Sequence, residues 1–231
     1  MTFDFGQTLA ELDHDFLQRR AHSFGAELDP VASYAGTVAA WHAYGAAKAL
    51  GHDRAWQAMM LEILRAGGVR KIRAQAADPE YAEKIAQLLW DAQPTHNLWR
   101  KPIAGMFELV AELAAQRVPV GIISNSEGHL AELVEELGQR ALFDVIIDSG
   151  RVGVDKPNPR IFQLAAEALG VKLEQIVHVG DAWEADVLGA RAAGAQAIWY
   201  APTDERALPE GVVACRSASE LRDALRNFGV G

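Results

Sequence analysis

A single cysteine, Cys215, is all that 231 residues contain, which excludes an internal disulfide framework and a cysteine-rich zinc site. Long apolar runs are missing too: none approaches the roughly 18 residues of a membrane-spanning helix. The opening Met1-Thr2-Phe3-Asp4 has neither the basic start nor the apolar stretch of a signal peptide, so a cytoplasmic protein with no membrane partner is expected. Positive charge is scarce, with 22 Lys and Arg against 31 Asp and Glu and a net charge of −9. That balance argues against a nucleic-acid binder, which has to neutralise phosphates over an extended basic surface. The chain also lacks a Walker A loop, a GxGxxG fingerprint, a GxSxG elbow and an HExxH pair. Its seven histidines (His14, His22, His42, His52, His96, His129 and His178) therefore read as surface or packing residues, and Cys215 as an inert core thiol. What is present is half apolar and 23% charged, the balance of a folded chain forming one large domain or two unequal ones.

The second half alternates short apolar strands with helical stretches. Strands are expected at Val118–Ile123, Phe143–Ile147, Ile176–Val179, Ala195–Tyr200 and Val212–Ala214. Helices are expected at Gly128–Leu137, at Trp183–Ala193, and from Asn158 as N-cap and Pro159 as first residue to a closing Gly170. The spacing of Ser217 and Glu220 is that of a capping box opening a final helix. This order implies right-handed βαβ units on a parallel sheet, an α/β fold of the doubly wound, Rossmann-like kind. The first half differs. After a strand at Met1–Phe5, residues 6–117 are almost wholly helical in pattern, far more than a crossover needs. Helices are expected at Asp13–Phe24, Val31–Leu50, Asp53–Ala66, Pro79–Ala92 and Ile103–Gln116, broken at Asp29-Pro30, Gly51, Gly67-Gly68, Asp78-Pro79 and Pro94. The last is the crossover, and the others form an inserted all-helical domain over 13–95, with the core at 1–12 and 96–231. Trp41, Tyr44, Trp56, Met59 and Met60, at helical spacing, read as packing inside that insertion.

Ligands of a doubly wound sheet gather beyond the carboxyl ends of its strands. The residues just past each strand therefore test for a site. The first strand delivers Asp4, then Phe5-Gly6-Gln7-Thr8-Leu9; the second delivers Ser124-Asn125; Lys156 lies just before the helix opened by Asn158; the fourth strand delivers Gly180-Asp181, with Asp186 five residues on. Two acids, a hydroxyl, a lysine and helix starts on one edge are an inventory for holding a divalent cation and a phosphate. Each residue also has a plainer reading. Asp4 can cap the turn after its strand, Ser124 can cap a helix, Lys156 can pair with Asp155 in solvent, and Asp186 can sit on a helix surface. Thr8 reads as bonding locally to fix the turn.

Taken together, Phe3-Asp4-Phe5-Gly6-Gln7-Thr8-Leu9, Ile122-Ile123-Ser124-Asn125, Lys156-Pro157 and Val179-Gly180-Asp181-Ala182-Trp183-Glu184-Ala185-Asp186 resemble, in order, the four motifs of the haloacid dehalogenase superfamily. Most of its members are magnesium-dependent phosphatases, and the helical insertion resembles the cap that they carry between motifs one and two. The resemblance implies hydrolysis of a small phosphorylated metabolite through an aspartyl-phosphate on Asp4. It implies Mg²⁺ held by Asp4, Asp181 and the Gly6 carbonyl, with Asp186 orienting the site from behind. Ser124 and Lys156 are implied as catalytic groups, binding the phosphoryl group together with Thr8 and Asn125.

One position departs from the pattern. The phosphatases usually carry a second aspartate two residues after the nucleophile, as general acid and base; here Gly6 stands there, and neither Gly6 nor Gln7 transfers protons at neutral pH. Slow turnover, a preference for leaving groups that need little protonation, or a substitute among Glu11, His14, Glu127 and Glu184 is the expected consequence. A pseudo-enzyme that binds phosphate or protein is the alternative reading, and a 2-haloacid dehalogenase a third. Asp181 argues against the dehalogenase, whose fourth motif carries serine and asparagine in place of Gly180-Asp181.

Overall fold

The computed structural model describes residues 1–50, 54–74, 79–201 and 208–229. The chain divides into two compact units, Met1–Leu12 with Trp99–Gly231 and Asp13–Leu98. In chain order the elements are β1 (Thr2–Phe3), β2 (Ala10–Leu12), α1 (His14–Ser23), β3 (Ala26–Glu27), α2 (Pro30–Ala35), α3 (Thr37–Ala49), α4 (Ala55–Ala66), β4 (Arg70–Lys71), α5 (Pro79–Ala92) and β5 (Trp99–Pro102). Then come α6 (Met106–Ala115), β6 (Gly121–Ser124), α7 (Leu130–Glu136), β7 (Val145–Asp148), α8 (Ser149–Val152), α9 (Pro159–Leu169), β8 (Val177–Gly180), α10 (Gly189–Ala193), β9 (Gln196–Tyr200), β10 (Val213–Cys215) and α11 (Ala218–Asn227).

In the first unit six strands form one parallel sheet in the order β10-β9-β8-β1-β6-β7. The alternation of apolar residues explains its two covered faces. Ile122, Ile198 and Tyr200 join one cluster with Met106, Leu133 and Leu221, whereas Ile123, Ala197 and Trp199 join another with Ile161, Phe162 and Ala190. Helices α6, α7 and α11 thus cover one face and α9 and α10 the other: the sheet is doubly wound. The chain leaves β1 towards β6 and β7, then returns to β8 on the other side of β1. The topological switch point therefore falls at the carboxyl end of β1, where Asp4 stands.

Local chemistry sets the element ends. The Asn158 side chain accepts from the backbone N–H of Arg160, Pro159 opens α9, and Gly170 ends it at φ +66°. Ser217 accepts from the Glu220 N–H, but the Glu220 carboxylate reaches back to the N–H of Arg216 rather than to that of Ser217.

Several expectations need correcting. The first half is not wholly helical: β2 pairs antiparallel with β5, and β3 with β4 inside the Asp13–Leu98 unit. The stretch from Val31 to Leu50 is two helices, because the chain bends at Gly36, where an added Cβ would lie 2.4 Å from the Ala66 Cβ. Trp183–Leu188 is a π-helix, continued by α10. Gly51, His52, Asp53 and Asp78 lie outside the described residues. Within the helical unit Trp56, Met59 and Met60 are buried, and Trp56 packs on Trp90 with ring centroids 5.2 Å apart. Among the described residues no helix is long and apolar enough to cross a membrane.

Candidate active site

Four separate segments converge beyond the carboxyl end of β1. Asp4 is anchored by its own backbone, whose N–H donates to the Val179 carbonyl at 2.8 Å, and its Oδ1 accepts from Lys156 Nζ at 2.6 Å. The same ammonium donates to Asp186 Oδ1 at 2.5 Å. Lys156 is held from the side by Asn125. The Asn125 Nδ2 donates to the Lys156 carbonyl at 3.0 Å, and its Oδ1 accepts the Lys156 N–H at 2.7 Å. The Lys156 side chain is only 2% exposed, so the solvated pair with Asp155 is not what forms.

Asp186 is buried as well, not on a helix surface. The π-turn brings its Oδ2 back onto the Ala182 N–H at 2.9 Å, and His178 Nε2 reaches Oδ1 at 3.1 Å. Gly180 is the position that permits this approach: a Cβ there would lie 2.3 Å from the Asp186 carboxyl carbon. Asp181 is half-buried; its carbonyl accepts the Trp199 indole N–H at 2.8 Å, and its Oδ1 accepts from Thr8 Oγ1 at 3.4 Å. Thr8 thus reaches across to Asp181 rather than bonding only within its own turn. Ser124 ends β6, buried, and is not a helix cap, because α7 begins six residues later after His129. The turn at Gly128–Leu130 is fixed instead by Asp148, whose carboxylate accepts from the N–H groups of Gly128 and Leu130.

Charge explains the titration of the cluster. Burial would raise Asp186, but the Lys156 ammonium and the His178 donor prevail and hold it down to about 2. Burial pushes Asp4 up against the opposing pull of Lys156, and it pushes Asp181 well up, with Asp4 and Asp186 adding repulsion. Lys156 stays above its ordinary value because Asp186 and Asp4 outweigh its own burial. His178 is lowered by burial, and Cys215, inside β10, is pushed up to about 11 by the same cause.

Carboxylate oxygens of Asp4, Asp181 and Asp186 lie within 4.8 Å of one another. Asp186 spends both oxygens on Lys156, His178 and Ala182. Asp4, which gives one oxygen to Lys156, and Asp181 remain as hard oxygen donors, and a single ammonium among three carboxylates leaves negative charge in excess, a set that suits Mg²⁺.

The four candidates for a substitute acid are placed differently. Glu11 pairs with Lys101 at 2.7 Å, Glu184 is exposed, and His14 bonds Ser33 and Thr37 inside the helical unit. Glu127, in the loop after β6, is pushed up by burial. Position 6 itself faces Trp99, whose Cδ1 would lie 3.3 Å from an added Cβ. His178, read from the sequence only as a surface or packing residue, has polar partners on both ring nitrogens, and Trp99 is not singled out by the sequence at all. A lone histidine within an apolar strand carries no signal of its own, although the register pairing Thr2 with His178 is fixed once the sheet order is known.

A doubly wound parallel sheet with a buried lysine bridging two aspartates at its switch point defines an α/β protein built around a charged site at the end of its first strand. The chain belongs to the haloacid dehalogenase-like hydrolases, whose family model matches residues 2–194. It is similar to a phosphoserine phosphatase of Thermus thermophilus, 33% identical over 137 residues that make up 57% of this chain and 53% of that protein. It thus spans about half the length of that relative. It is also similar to human haloacid dehalogenase-like hydrolase domain-containing protein 3, 29% identical over 204 residues, 84% of this chain and 78% of the other. Among solved structures, the HAD-hydrolase YfnB of Bacillus subtilis, bound to magnesium, shares the fold, with a TM-score of 0.69 and 21% identity, covering 97% of this chain and 96% of that one.

Proposed function

We propose that this hydrolase is a Mg²⁺-dependent phosphatase of a small phosphorylated metabolite, with Asp4 as nucleophile. The observation that carries the reading is the convergence of Asp4, Lys156, Asp181 and Asp186 at the switch point. It gathers a nucleophilic carboxylate, a cation for the phosphoryl oxygens and a second acid for a metal. That a phosphoserine phosphatase is among the relatives fits it.

In this reading Asp4 Oδ1 stays tied to Lys156 while Oδ2 attacks phosphorus. The bond to the leaving oxygen breaks and an aspartyl-phosphate forms. The leaving oxygen takes a proton from a solvent water, and a further water then attacks phosphorus and gives up its proton to solvent, breaking the bond to Asp4, regenerating its carboxylate and releasing inorganic phosphate. Asp4, Asp181 and the Gly6 carbonyl would hold Mg²⁺, which would neutralise negative charge developing on the phosphoryl group. Lys156 binds a phosphoryl oxygen with the N–H it does not spend on Asp4 and Asp186, and Ser124 binds another. Asn125 places Lys156, and Thr8 steadies Asp181. The inserted unit Asp13–Leu98 is the part of the chain to which this reading assigns substrate selection.

The test is turnover of an aryl phosphate with and without Mg²⁺ by wild type and Asp4→Asn. Wild type is expected to be active only with the metal, and the variant to be folded and inactive, because an amide is a poor nucleophile and a weaker ligand. Turnover at the wild-type rate in Asp4→Asn overturns the assignment.

A further inference from the structure

His178 is wholly buried, yet both its ring nitrogens are engaged by polar groups. Nδ1 lies 3.0 Å from Thr2 Oγ1, its register partner on β1, and Nε2 lies 3.1 Å from Asp186 Oδ1. The Phe162 ring covers it edge-on, with centroids 5.3 Å apart. From there the contacts run on without interruption: Asp186 Oδ1 to Lys156 Nζ, and Lys156 Nζ to Asp4 Oδ1. Thr2, His178, Asp186, Lys156 and Asp4 thus form one buried line that ends on the carboxylate proposed to attack phosphorus.

We propose that His178 is a positioning residue of this site: with its proton on Nε2 it pins Asp186 Oδ1, and through Asp186 it sets where the Lys156 ammonium stands against Asp4. The inference rests on the phosphatase reading for its consequence in turnover, but not for the geometry. An ionised carboxylate only accepts, so the nitrogen facing it carries the hydrogen; Nδ1 of the neutral ring is then the acceptor for the Thr2 hydroxyl. Asp186 Oδ1 is shared between two donors. Without His178 its charge falls on Lys156 alone and draws the ammonium away from Asp4. A hydrophobic residue would fill this core position at less cost than a buried histidine and threonine that each need a partner. The polar line makes sense as a device for orientation, as with the hydrogen-bonded partners that stand behind metal and phosphoryl sites.

Two measurements test this. The first reads the tautomer by ¹⁵N NMR of the imidazole in the metal-free protein, with His178→Gln to assign the signal. A protonated Nε2 and a bare Nδ1 are expected, and the reverse tautomer overturns the proposal. The second compares His178→Leu with His178→Gln, whose amide restores a donor towards Asp186. The leucine variant is expected to lose about 10–100-fold in kcat, the usual size for removing such a partner. The glutamine variant is expected to recover most of that loss. A leucine variant at the wild-type rate, or a glutamine variant equally impaired, overturns the proposal. If His178→Leu does not fold, Thr2→Val takes its place: the ring, still donating to Asp186 but released from Thr2, is expected to keep its tautomer, to hold Asp186 less firmly and to lower kcat, and an unchanged rate overturns the proposal. Absence of wild-type turnover with Mg²⁺ would instead overturn the phosphatase reading, and the tautomer measurement still decides the pinning.

Discussion

Replacing Lys156 by methionine removes the one positive charge between the buried carboxylates of Asp4 and Asp186 and leaves the volume nearly unchanged. In the wild type the ammonium sits 2.6 Å from Asp4 and 2.5 Å from Asp186, with its side chain 2% exposed. It is the main reason that Asp186 falls from the ordinary 3.8 to about 2 despite burial, a shift equivalent to about 2 kcal/mol. The sign is that of a depressed acid: this contribution is present above the ordinary carboxylate range and is lost as pH falls towards 2. In Lys156→Met the same burial acts without its counter-charge, so Asp186 rises above its ordinary value and Asp4, already raised, rises further. Their ionisation then destabilises the fold as pH increases. At pH 7 the variant is expected to be less stable by about 3–5 kcal/mol, the scale of breaking a buried ion pair. That gap should narrow as pH falls from 7 to 4, because the variant's carboxylates take up protons there while the wild-type Asp186 stays ionised. Urea unfolding of both proteins in EDTA at pH 4, 5, 6, 7 and 8 gives the gap directly. A gap that stays constant across that range, or a variant as stable as wild type at pH 7, would refute the electrostatic account.

Gly180→Ala is expected to cost about 1–3 kcal/mol by overpacking, since its Cβ would meet the Asp186 carboxyl at 2.3 Å, and to depress activity by more than that loss explains; thermal unfolding and kcat at 25 °C check it. Adding Mg²⁺ to the EDTA-treated protein should raise Tm by an amount that grows from pH 5 to pH 8. Asp4 and Asp181 are held high by burial, so metal binding has to displace protons at the lower pH; a shift independent of pH, or retained in Asp181→Asn, contradicts the site. Wild-type kcat/KM across aryl and alkyl phosphates should fall steeply as the leaving group becomes more basic, for want of a carboxylate at position 6. Gly6→Asp should flatten the series, most for alkyl phosphates, where general acid help is worth about 10²–10⁴-fold. Gly6 has an ordinary backbone, and the Trp99 edge has only a few tenths of an ångström to yield. A flat wild-type series would mean that another residue, Glu127 first, supplies the proton.

Features that depend on a few neighbouring residues were open to a reader of the sequence. Asn158-Pro159 and Gly170 mark the ends of α9 because capping and left-handed termination are satisfied within one turn of chain. The strands β6 to β9 stand out because burial on both faces demands short, mainly apolar runs, as in residues 121–123 and 197–200. The strand ends then locate Asp4, Ser124, Lys156 and Asp181 on one edge by topology alone.

Distant partners supply the rest. The two short antiparallel pairs, β2 with β5 and β3 with β4, consist of two to four residues each, too few to show a period, and exist because a remote segment offers its backbone. The bend at Gly36 is set by Ala66, thirty residues away. Nothing near Asn125 in the chain announces that its amide holds the backbone of Lys156, and nothing near His178 distinguishes it from a packing residue. Residue type and spacing are local properties, so they reveal which groups a strand end presents. Which of those groups share a proton, a charge or a donor depends on distances of about 3 Å between segments up to 176 residues apart, and these come into being only when the sheet assembles around β1.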